Sequence, residues 1–277
     1  MTEPLLDVAG LRVAFPSEKG FVAVVDGVSF TVGREIVALV GESGSGKSMT
    51  GRAVMGLLPD RARITADRLC FEGRDLTRIG PREWRGLRGN GLGLILQDPK
   101  YSLNPALRIG RQVEESLFLH TRLPAAQRRA RAISMLEKVG LPDPEWVYRS
   151  RPGALSGGMG QRVMIAAMLI NEPRLLIADE ATSALDRDLQ VQVLDLMRSL
   201  TREMGMGLLL ISHDLQQVAD YADRVLVMRG GRIVDQIAAK NLGRSENSYT
   251  SALWRARPSA RTYGTKLPVI DREEGRR

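Results

Sequence analysis

A glycine-rich segment between an apolar strand and a helix constrains the fold of this chain more than any other feature. Residues 41–48 read Gly-Glu-Ser-Gly-Ser-Gly-Lys-Ser and fit the pattern G-x-x-x-x-G-K-S/T. Residues 36–40 before it are apolar throughout, as in a strand buried on both faces of a sheet, and residues 47–58 after it predict a helix. A strand, this loop and a helix in that order are the context that a phosphate-binding loop requires.

The residue types in this loop predict how it would hold a nucleoside triphosphate. The glycines let successive backbone N–H groups point inward at an anion, and the helix N-terminus adds a partial positive charge. We expect Lys47 to reach the β- and γ-phosphates and the Ser48 hydroxyl to ligate Mg²⁺. The alternative is a chance glycine turn beside a surface lysine, which the flanking strand and helix make the weaker interpretation. The predicted nucleotide-binding residues here are Gly41, Glu42, Ser43, Gly44, Ser45, Gly46, Lys47, Ser48 and Met49.

Two adjacent acids follow a second apolar strand. Residues 175–178 are apolar and lead directly into Asp179 and Glu180. The carboxyl ends of strands in a parallel sheet face the ligand crevice, so we expect Asp179 to hold Mg²⁺ through a hard oxygen. Glu180 is expected to polarise a water for in-line attack on the γ-phosphate. Acids that cap a helix are the alternative, which the phosphate-binding loop upstream makes the lesser one.

The order of elements predicts an α/β fold with a mostly parallel sheet. Short β-rich runs before residue 35 predict an antiparallel N-terminal part, and the helical stretch at about 98–165 predicts an inserted α-helical subdomain. We predict one domain over residues 1–254 and a polar tail over 255–277. Four apolar runs match buried strands, at 36–40, 92–96, 175–178 and 207–211.

The charge and composition exclude several classes of protein. Forty Lys and Arg against 32 Asp and Glu give a net charge of +8, but the arginines are spread along the chain and aromatic residues are only 5%. We therefore expect no nucleic-acid partner, since a base-stacking platform needs aromatic residues, and a solvated basic surface is the simpler interpretation of the charge. The single cysteine, Cys70, excludes an intrachain disulfide and a Cys-rich metal site. No apolar run approaches the roughly 20 residues of a transmembrane helix, and no secretion-signal pattern begins the sequence, so we expect a cytosolic chain.

A third motif resembles that of a known protein family. Residues 155–162 read Leu-Ser-Gly-Gly-Met-Gly-Gln-Arg, which resembles the signature motif of ATP-binding cassette (ABC) ATPases. The resemblance covers about residues 5–255 and implies nucleotide contacts by Ser156, Gly157, Gly158 and Gln161. A helix from 158 to 171 would be roughly 20 Å long and would keep this second phosphate-binding terminus far from the chain's own loop. The natural ligand is then a partner's nucleotide, as the head-to-tail dimer of the family implies.

The resemblance implies roles for four more residues. Gln97 follows a strand as the family's Q-loop glutamine does, where it can contact Mg²⁺ or the attacking water. His213 stands in the position of the switch histidine, and Asp186 ends a segment that resembles the D-loop. Phe15 stands where an aromatic ring usually stacks on adenine. The predicted catalytic residues are Glu180, His213 and Gln97, and the predicted Mg²⁺ ligands are Ser48, Gln97 and Asp179.

Several stretches resemble one branch of the family, the importer ATPases for dipeptides, oligopeptides, nickel and metal-chelating opines. They include Gln-Asp-Pro at 97–99, Ser-Leu-Asn-Pro at 102–105 and Ser-Tyr-Thr-Ser-Ala-Leu at 248–253. The sequence lacks the cysteine-rich C-terminal segment of many peptide-import members, which favours the nickel or metallophore branch modestly. Two residues depart from the branch, since Gly160 replaces a larger residue and Ala181 replaces a proline after the catalytic acid.

The resemblance implies an ATP- and Mg²⁺-dependent subunit bound to the cytoplasmic face of a bacterial inner membrane. The implied partners are a second, related but non-identical ATPase, two permease subunits and, indirectly, an extracytoplasmic solute-binding protein. Residues 98–111 are expected to receive a permease helix, unless Tyr101, Leu103 and Pro105 pack the subdomain core. A soluble ABC ATPase of DNA repair or translation is the alternative. The single cassette without heptads disfavours it.

Overall fold

The computed structural model describes residues 3–18, 20–97 and 102–257. Tyr101, part of the expected permease surface, and residues 258–277 of the predicted tail lie outside the described residues. The chain divides into two units, which are described separately. Among the described residues, the first unit takes 3–78 and 207–257, and the second unit takes 79–206.

The first unit holds the phosphate-binding loop and most of the strands. Its strands are β1 Leu6–Ser17, β2 Gly20–Val32, β3 Ile36–Gly41, β4 Arg63–Thr65, β5 Arg68–Phe71, β6 Arg74–Asp75, β9 Gly207–Ile211, β10 Arg224–Arg229 and β11 Arg232–Ala238. Its helices are α1 Lys47–Val54, α8 Leu215–Tyr221 and α9 Ser248–Arg255, with a 3-10 helix at Ala239–Arg244.

The second unit is mainly helical. Its helices are α2 Pro81–Leu87, α3 Ile109–His120, α4 Ala125–Lys138, α5 Pro144–Arg149, α6 Gly157–Leu169 and α7 Arg187–Met204, with a 3-10 helix at Pro152–Ala154. Its two strands are β7 Leu92–Ile95 and β8 Leu175–Asp179, which pair in parallel. The expected helical stretch at about 98–165 lies within this unit, whose bounds are wider.

The first unit combines both kinds of sheet that the sequence predicts. An antiparallel sheet has the order β2-β1-β5-β6, with β4 also paired to β1. Separately, β3 pairs in parallel with both β9 and β10, and β11 closes this group antiparallel to β10. Every residue of β3 and β9 is buried, as expected for strands covered on both faces. The predicted α/β class with parallel and antiparallel parts is confirmed.

Two local predictions were wrong in their extent. The helix after the loop ends at Val54 and not near Leu58, because Gly56 adopts a φ of 60°. The Gly56 N–H donates to Ala53 and the Leu57 N–H to Arg52, which is the Schellman arrangement that ends a helix. The separate short strands expected before residue 35 are one long hairpin, β1 and β2, whose register shifts interrupt the apolar alternation.

None of the helices in the described part of the chain combines the length and the apolar composition needed to cross a bilayer.

The packing of the helical unit allows a test with two helical glycines. A Cβ added at Gly110, in α3, would overlap the ring of Tyr148, whereas one at Gly86, in α2, would meet nothing within 4 Å. We expect Gly110→Ala to lower the free energy of unfolding by about 1–3 kcal/mol through overpacking. Gly86→Ala is expected to raise it by up to about 1 kcal/mol, because alanine is the better helix former. Urea denaturation of both variants measures the difference, and equal stabilities would contradict this packing.

Candidate functional site

Two glycines of the phosphate-binding loop, in the first unit, lie against neighbouring main chain that leaves no room for a side chain. Gly46, with a φ of 102°, is the N-cap of α1, and a Cβ there would lie 2.5 Å from the Val24 carbonyl oxygen. A Cβ at Gly41 would overlap the carbonyl oxygen of Met228 in β10. Both glycines are therefore required by the close approach of β2 and β10, and Gly44 supplies a third positive φ.

Lys47 is buried in this loop. Its ammonium donates to the carbonyl oxygen of Gly41 at 2.8 Å and to that of Glu42 at 2.9 Å. Lys47 as a whole is only 5% exposed. The Glu42 carbonyl also accepts from the Ser45 N–H at 3.2 Å. A buried ammonium at a helix N-terminus is a strong site for an anion, because the charge and the orphan N–H groups act together.

Ser45 supplies an independent sign that the loop holds a polar ligand. Its Oγ is buried and has no hydrogen-bond partner among the residues that the structure describes. A buried hydroxyl without a partner is costly unless something else satisfies it. The inward-turned loop, the Lys47 ammonium and this hydroxyl together fit a polyphosphate. Ser48, in the first turn of α1, is half-buried and offers the hard oxygen that Mg²⁺ prefers.

The strand register brings His213 to the same end of the sheet as the loop. In the parallel pairing, Leu39 of β3 lies opposite Ile211 of β9. The first residue of the loop, Gly41, comes two residues after Leu39, and His213 comes two residues after Ile211. The Ser212 N–H donates to the Leu39 carbonyl, and Asp214 caps α8 by accepting from two backbone N–H groups. The main chain around His213 is thus fixed, while its side chain is exposed.

Phe15 lies on the β1–β2 hairpin of the same unit. It is half-buried and faces Val22 across the hairpin, where Phe21 and Val22 are more than half exposed. An aromatic ring in this position can offer one face to a base. The predicted stacking on adenine stays a prediction.

In the second unit, the two acids end β8 as expected. Asp179 is buried, and Glu180 is half-buried with a φ of 51°. Left-handed backbone costs a non-glycine residue about 1 kcal/mol or more, and such strain is concentrated at functional sites. The Glu180 carbonyl oxygen accepts from both the N–H and the Oγ of Ser183, which holds the turn. The strain at Glu180 is a signal that the sequence did not predict.

Gln97 reaches the same edge of the strand pair as these acids. Ile95 of β7 faces Ala178 of β8, and Gln97 and Glu180 each lie two residues beyond. The Gln97 side chain is exposed, so it can contact a ligand at this edge.

The signature residues begin α6, a helix of 13 residues. Ser156 caps it by accepting from the Met159 N–H, and both Ser156 and Gly157 are exposed at the helix N-terminus. Gly158 is buried against Leu189 of α7, where a Cβ would lie 3.2 Å from both methyl groups. Exposed residues at a free helix N-terminus can bind an anion from another molecule.

The structure gives Gln161 and Asp186 contacts that the motif resemblance does not imply. Gln161 is fully buried, and its amide donates to the carbonyl oxygen of Ala181, directly after Glu180. Its Oε1 has no partner within the described residues. Asp186 caps α7 by accepting from the Leu189 N–H at 3.0 Å. Gln161 therefore holds the main chain beside Glu180, and its predicted nucleotide contact stays a prediction.

Both departures from the branch pattern lie at buried positions. Gly160 is buried within the first turns of α6, and Ala181 is 2% exposed. The Ala181 carbonyl is held by Gln161, and the Ser183 bonds fix the peptide before it. The turn after Glu180 is therefore held by side chains where importers usually have a proline.

Comparison with known proteins identifies the family. The family model described as ABC transporter matches residues 25–183, which is more than half of the chain. The chain therefore belongs to the ABC transporter family, and the resemblance stated from its signature motif is confirmed.

The similar proteins point to one branch. The chain is 42% identical over 272 residues to the dipeptide transport ATP-binding protein DppD of Bacillus subtilis, covering 97% of this chain and 81% of that one. It is 43% identical over 256 residues to DppD of Escherichia coli K12, with coverages of 92% and 78%.

Two solved structures share the fold. The cassette MJ0796 bound to ADP and Pi has a TM-score of 0.75 at 24% identity, covering 84% of this chain and 98% of that one. The cbiO1 subunit from Clostridium perfringens has a TM-score of 0.73 at 26% identity, with coverages of 92% and 96%.

Proposed function

We propose that this chain is the ATP-hydrolysing subunit of a bacterial importer that takes up peptides through a membrane permease. The observation that carries the proposal is the phosphate-binding loop, which holds the buried Lys47 ammonium and a buried Ser45 hydroxyl that has no partner among the described residues. The peptide branch is supported by the names of the relatives, which favour it over nickel or metallophores. The same names disfavour a soluble ATPase of DNA repair or translation.

The residues of each unit have distinct roles in this proposal. In the first unit, the loop and Lys47 bind the β- and γ-phosphates, and His213 orients the γ-phosphate. In the second unit, Glu180 accepts a proton from the attacking water and Gln97 contacts that water. Mg²⁺, held by Ser48, Asp179 and Gln97, would neutralise charge on the phosphates.

We propose that the exposed signature residues act on another subunit. Ser156 and Gly157 at the N-terminus of α6 bind the nucleotide held by a second ATPase, a related but non-identical chain. The dimer then forms with ATP and separates after hydrolysis. Two permease subunits and an extracytoplasmic solute-binding protein complete the importer at the cytoplasmic face of the inner membrane.

The permease surface is proposed on the exposed residues before α3. Leu103 is buried, which is what the core-packing alternative expects of it. Asn104, Pro105 and Ala106 are exposed. Gln112 fixes this loop, since its side chain accepts from the Asn104 N–H at 2.8 Å and donates to the Asn104 carbonyl at 3.1 Å. A rigid, exposed loop in the predicted helical subdomain is suited to receive a permease helix.

A variant in this loop tests the permease surface. We expect Ala106→Arg to reduce copurification of the chain with its permease at least about tenfold, since a buried unpaired charge at an interface costs several kcal/mol. ATP binding by the isolated chain should not change. Ser134→Arg, an equally exposed change on α4, is the matched control and should copurify normally. Undiminished permease binding by Ala106→Arg would move the interface elsewhere.

Uptake by the reconstituted importer tests the function as a whole. Proteoliposomes that hold the permease, both ATPases and internal ATP should accumulate a labelled dipeptide when the binding protein is outside. Uptake of nickel or of a metal chelate, with no peptide uptake, would assign the chain to the other branch. ATP hydrolysis without any transport would contradict the importer proposal.

A further inference from the structure

The last helix of the first unit places a buried phenol beside the phosphate-binding loop. Tyr249 of α9 is 6% exposed, and its hydroxyl has no hydrogen-bond partner of normal geometry among the described residues. The guanidinium of Arg229, at the end of β10, lies 4.8 Å from the ring centroid. The ring is thus held from one side, while its polar end is buried without a formed bond, which is costly.

The hydroxyl lies near the loop itself, because Arg229 directly follows Met228, whose carbonyl oxygen a Cβ at Gly41 would overlap. Burial raises the pKa of Tyr249, the Glu42 carboxylate raises it further, and the Glu42 backbone N–H lowers it. The phenol therefore stays protonated at neutral pH beside Glu42, the second residue of the loop. Tyr249 and Glu42 are 207 residues apart in the sequence, so only the fold brings them together.

Glu42 is the residue whose main chain sets the position of Lys47. Its carbonyl oxygen accepts from the Lys47 ammonium at 2.9 Å and from the Ser45 N–H at 3.2 Å. A rotation of the peptide at Glu42 would move the ammonium that we propose to bind phosphate. A change in position at Glu42 caused by Tyr249 would therefore also move Lys47, which is hydrogen-bonded to Glu42.

Tyr249 is held at this place by a polar network on β11. The Asp235 carboxylate accepts from the hydroxyls of Ser245 at 2.6 Å and of Thr250 at 2.8 Å. Asn247 caps α9 by accepting from the N–H groups of Tyr249 and Thr250. The main chain of the helix is therefore fixed on both sides of Tyr249, which sets where its ring begins.

The turn between β10 and β11 gives the loop a second support from the same hairpin. The Gly231 N–H donates to the Ser45 carbonyl oxygen at 3.0 Å, and the Asp26 N–H donates to the Gly231 carbonyl at 2.8 Å. The hairpin that carries the network of α9 thus also contacts the loop at Ser45.

We propose that Tyr249 is a positioning residue of the nucleotide site, whose hydroxyl bonds to the main chain of Glu42 when the loop holds phosphate and so fixes Lys47. This inference rests on the proposed function, since it needs a loop that binds ATP. The competing view is that Tyr249 only fills the core. The two views differ in ATP affinity. Loss of the hydroxyl should leave the affinity unchanged if Tyr249 only fills the core, and should lower it if the hydroxyl is used with nucleotide.

Tyr249→Phe in the full chain separates these views, since it removes the hydroxyl and keeps the ring on Arg229. We expect ATP affinity, measured with a fluorescent ATP analogue and by calorimetry, to fall about three- to tenfold, the value of one hydrogen bond. The Tm without nucleotide should stay within about 1 °C of wild type or rise. In ATPase assays with the partner subunits, KM for ATP should rise by the same factor, with kcat within about twofold.

Tyr148→Phe is the matched control. Its hydroxyl donates to the Glu114 carboxylate within the second unit, so its loss should lower the Tm by about 2–4 °C and leave ATP affinity unchanged. Unchanged affinity in Tyr249→Phe would overturn the inference. A Tm that falls together with the affinity would also overturn it, because the hydroxyl would then support the fold without nucleotide. Wild-type protein that binds no ATP would instead overturn the proposed function, and this inference with it.

Discussion

Lys47→Ala should reduce ATP affinity by at least about 100-fold, because charge-assisted hydrogen bonds of roughly 1.5–3 kcal/mol each are lost at the phosphates. The backbone N–H groups of the loop would have to hold the phosphates without their main countercharge. The substitution also leaves the Gly41 and Glu42 carbonyl oxygens without the ammonium that they accept from. Equilibrium binding of a fluorescent ATP analogue measures the loss.

Lys240→Ala provides the control for this experiment, since Lys240 is an exposed lysine of the same unit. It should bind ATP as the wild type does. Circular dichroism of Lys47→Ala should show a folded chain, which separates lost binding from lost structure. An unchanged affinity in folded Lys47→Ala would refute the assignment of the phosphate-binding loop.

Glu180→Gln should separate binding from turnover. The amide keeps the shape of the side chain but cannot accept a proton from water, so we expect ATPase turnover to fall about 10²- to 10⁴-fold. ATP should still bind and hold the chain in an ATPase dimer that accumulates, with the partner subunit present, because hydrolysis no longer separates it. Light scattering with ATP and Mg²⁺ measures the dimer, and phosphate release measures the turnover.

A second glutamate makes a close control. Glu172 in the second unit also has a left-handed backbone, with a φ of 52°, and its side chain is exposed. The Glu172→Gln variant should therefore hydrolyse ATP at the wild-type rate. It also controls for any structural effect of replacing glutamate by glutamine at a residue with left-handed backbone. Normal turnover in Glu180→Gln would show that another group activates the water.

The parts of the site that could be predicted from the sequence are those whose residues are adjacent in the chain. The phosphate-binding loop is a run of eight residues between a buried strand and a helix, so its geometry follows from local conformational preferences. The place of Asp179 and Glu180 could be predicted because the strand before them is an uninterrupted apolar run, and the carboxyl end of such a strand is where ligands usually bind. The signature motif could be named as a helix start because its serine and glycines precede a long apolar helix.

The contacts that were missed join residues that are distant in sequence. Gln161 of α6 reaches Ala181 in the turn after β8, and Tyr249 and Glu42 are 207 residues apart, so neither pair leaves a periodic or local signal. The strain at Glu180 was also hidden, since no glycine or asparagine marks its left-handed backbone. The end of α1 was misplaced because the apolar pattern continues past Gly56, whose φ ends the helix.

The tight packing around the loop separates two kinds of information that the motif carries. Gly41 and Gly46 are required by the main chains of β10 and β2, which leave no room for a larger residue. This requirement would hold even in a cassette that does not bind nucleotide. In a diverged copy of this gene, the two glycines would thus survive as markers of architecture. Substitutions at Lys47 and Ser45, in contrast, would indicate that such a copy had lost nucleotide binding.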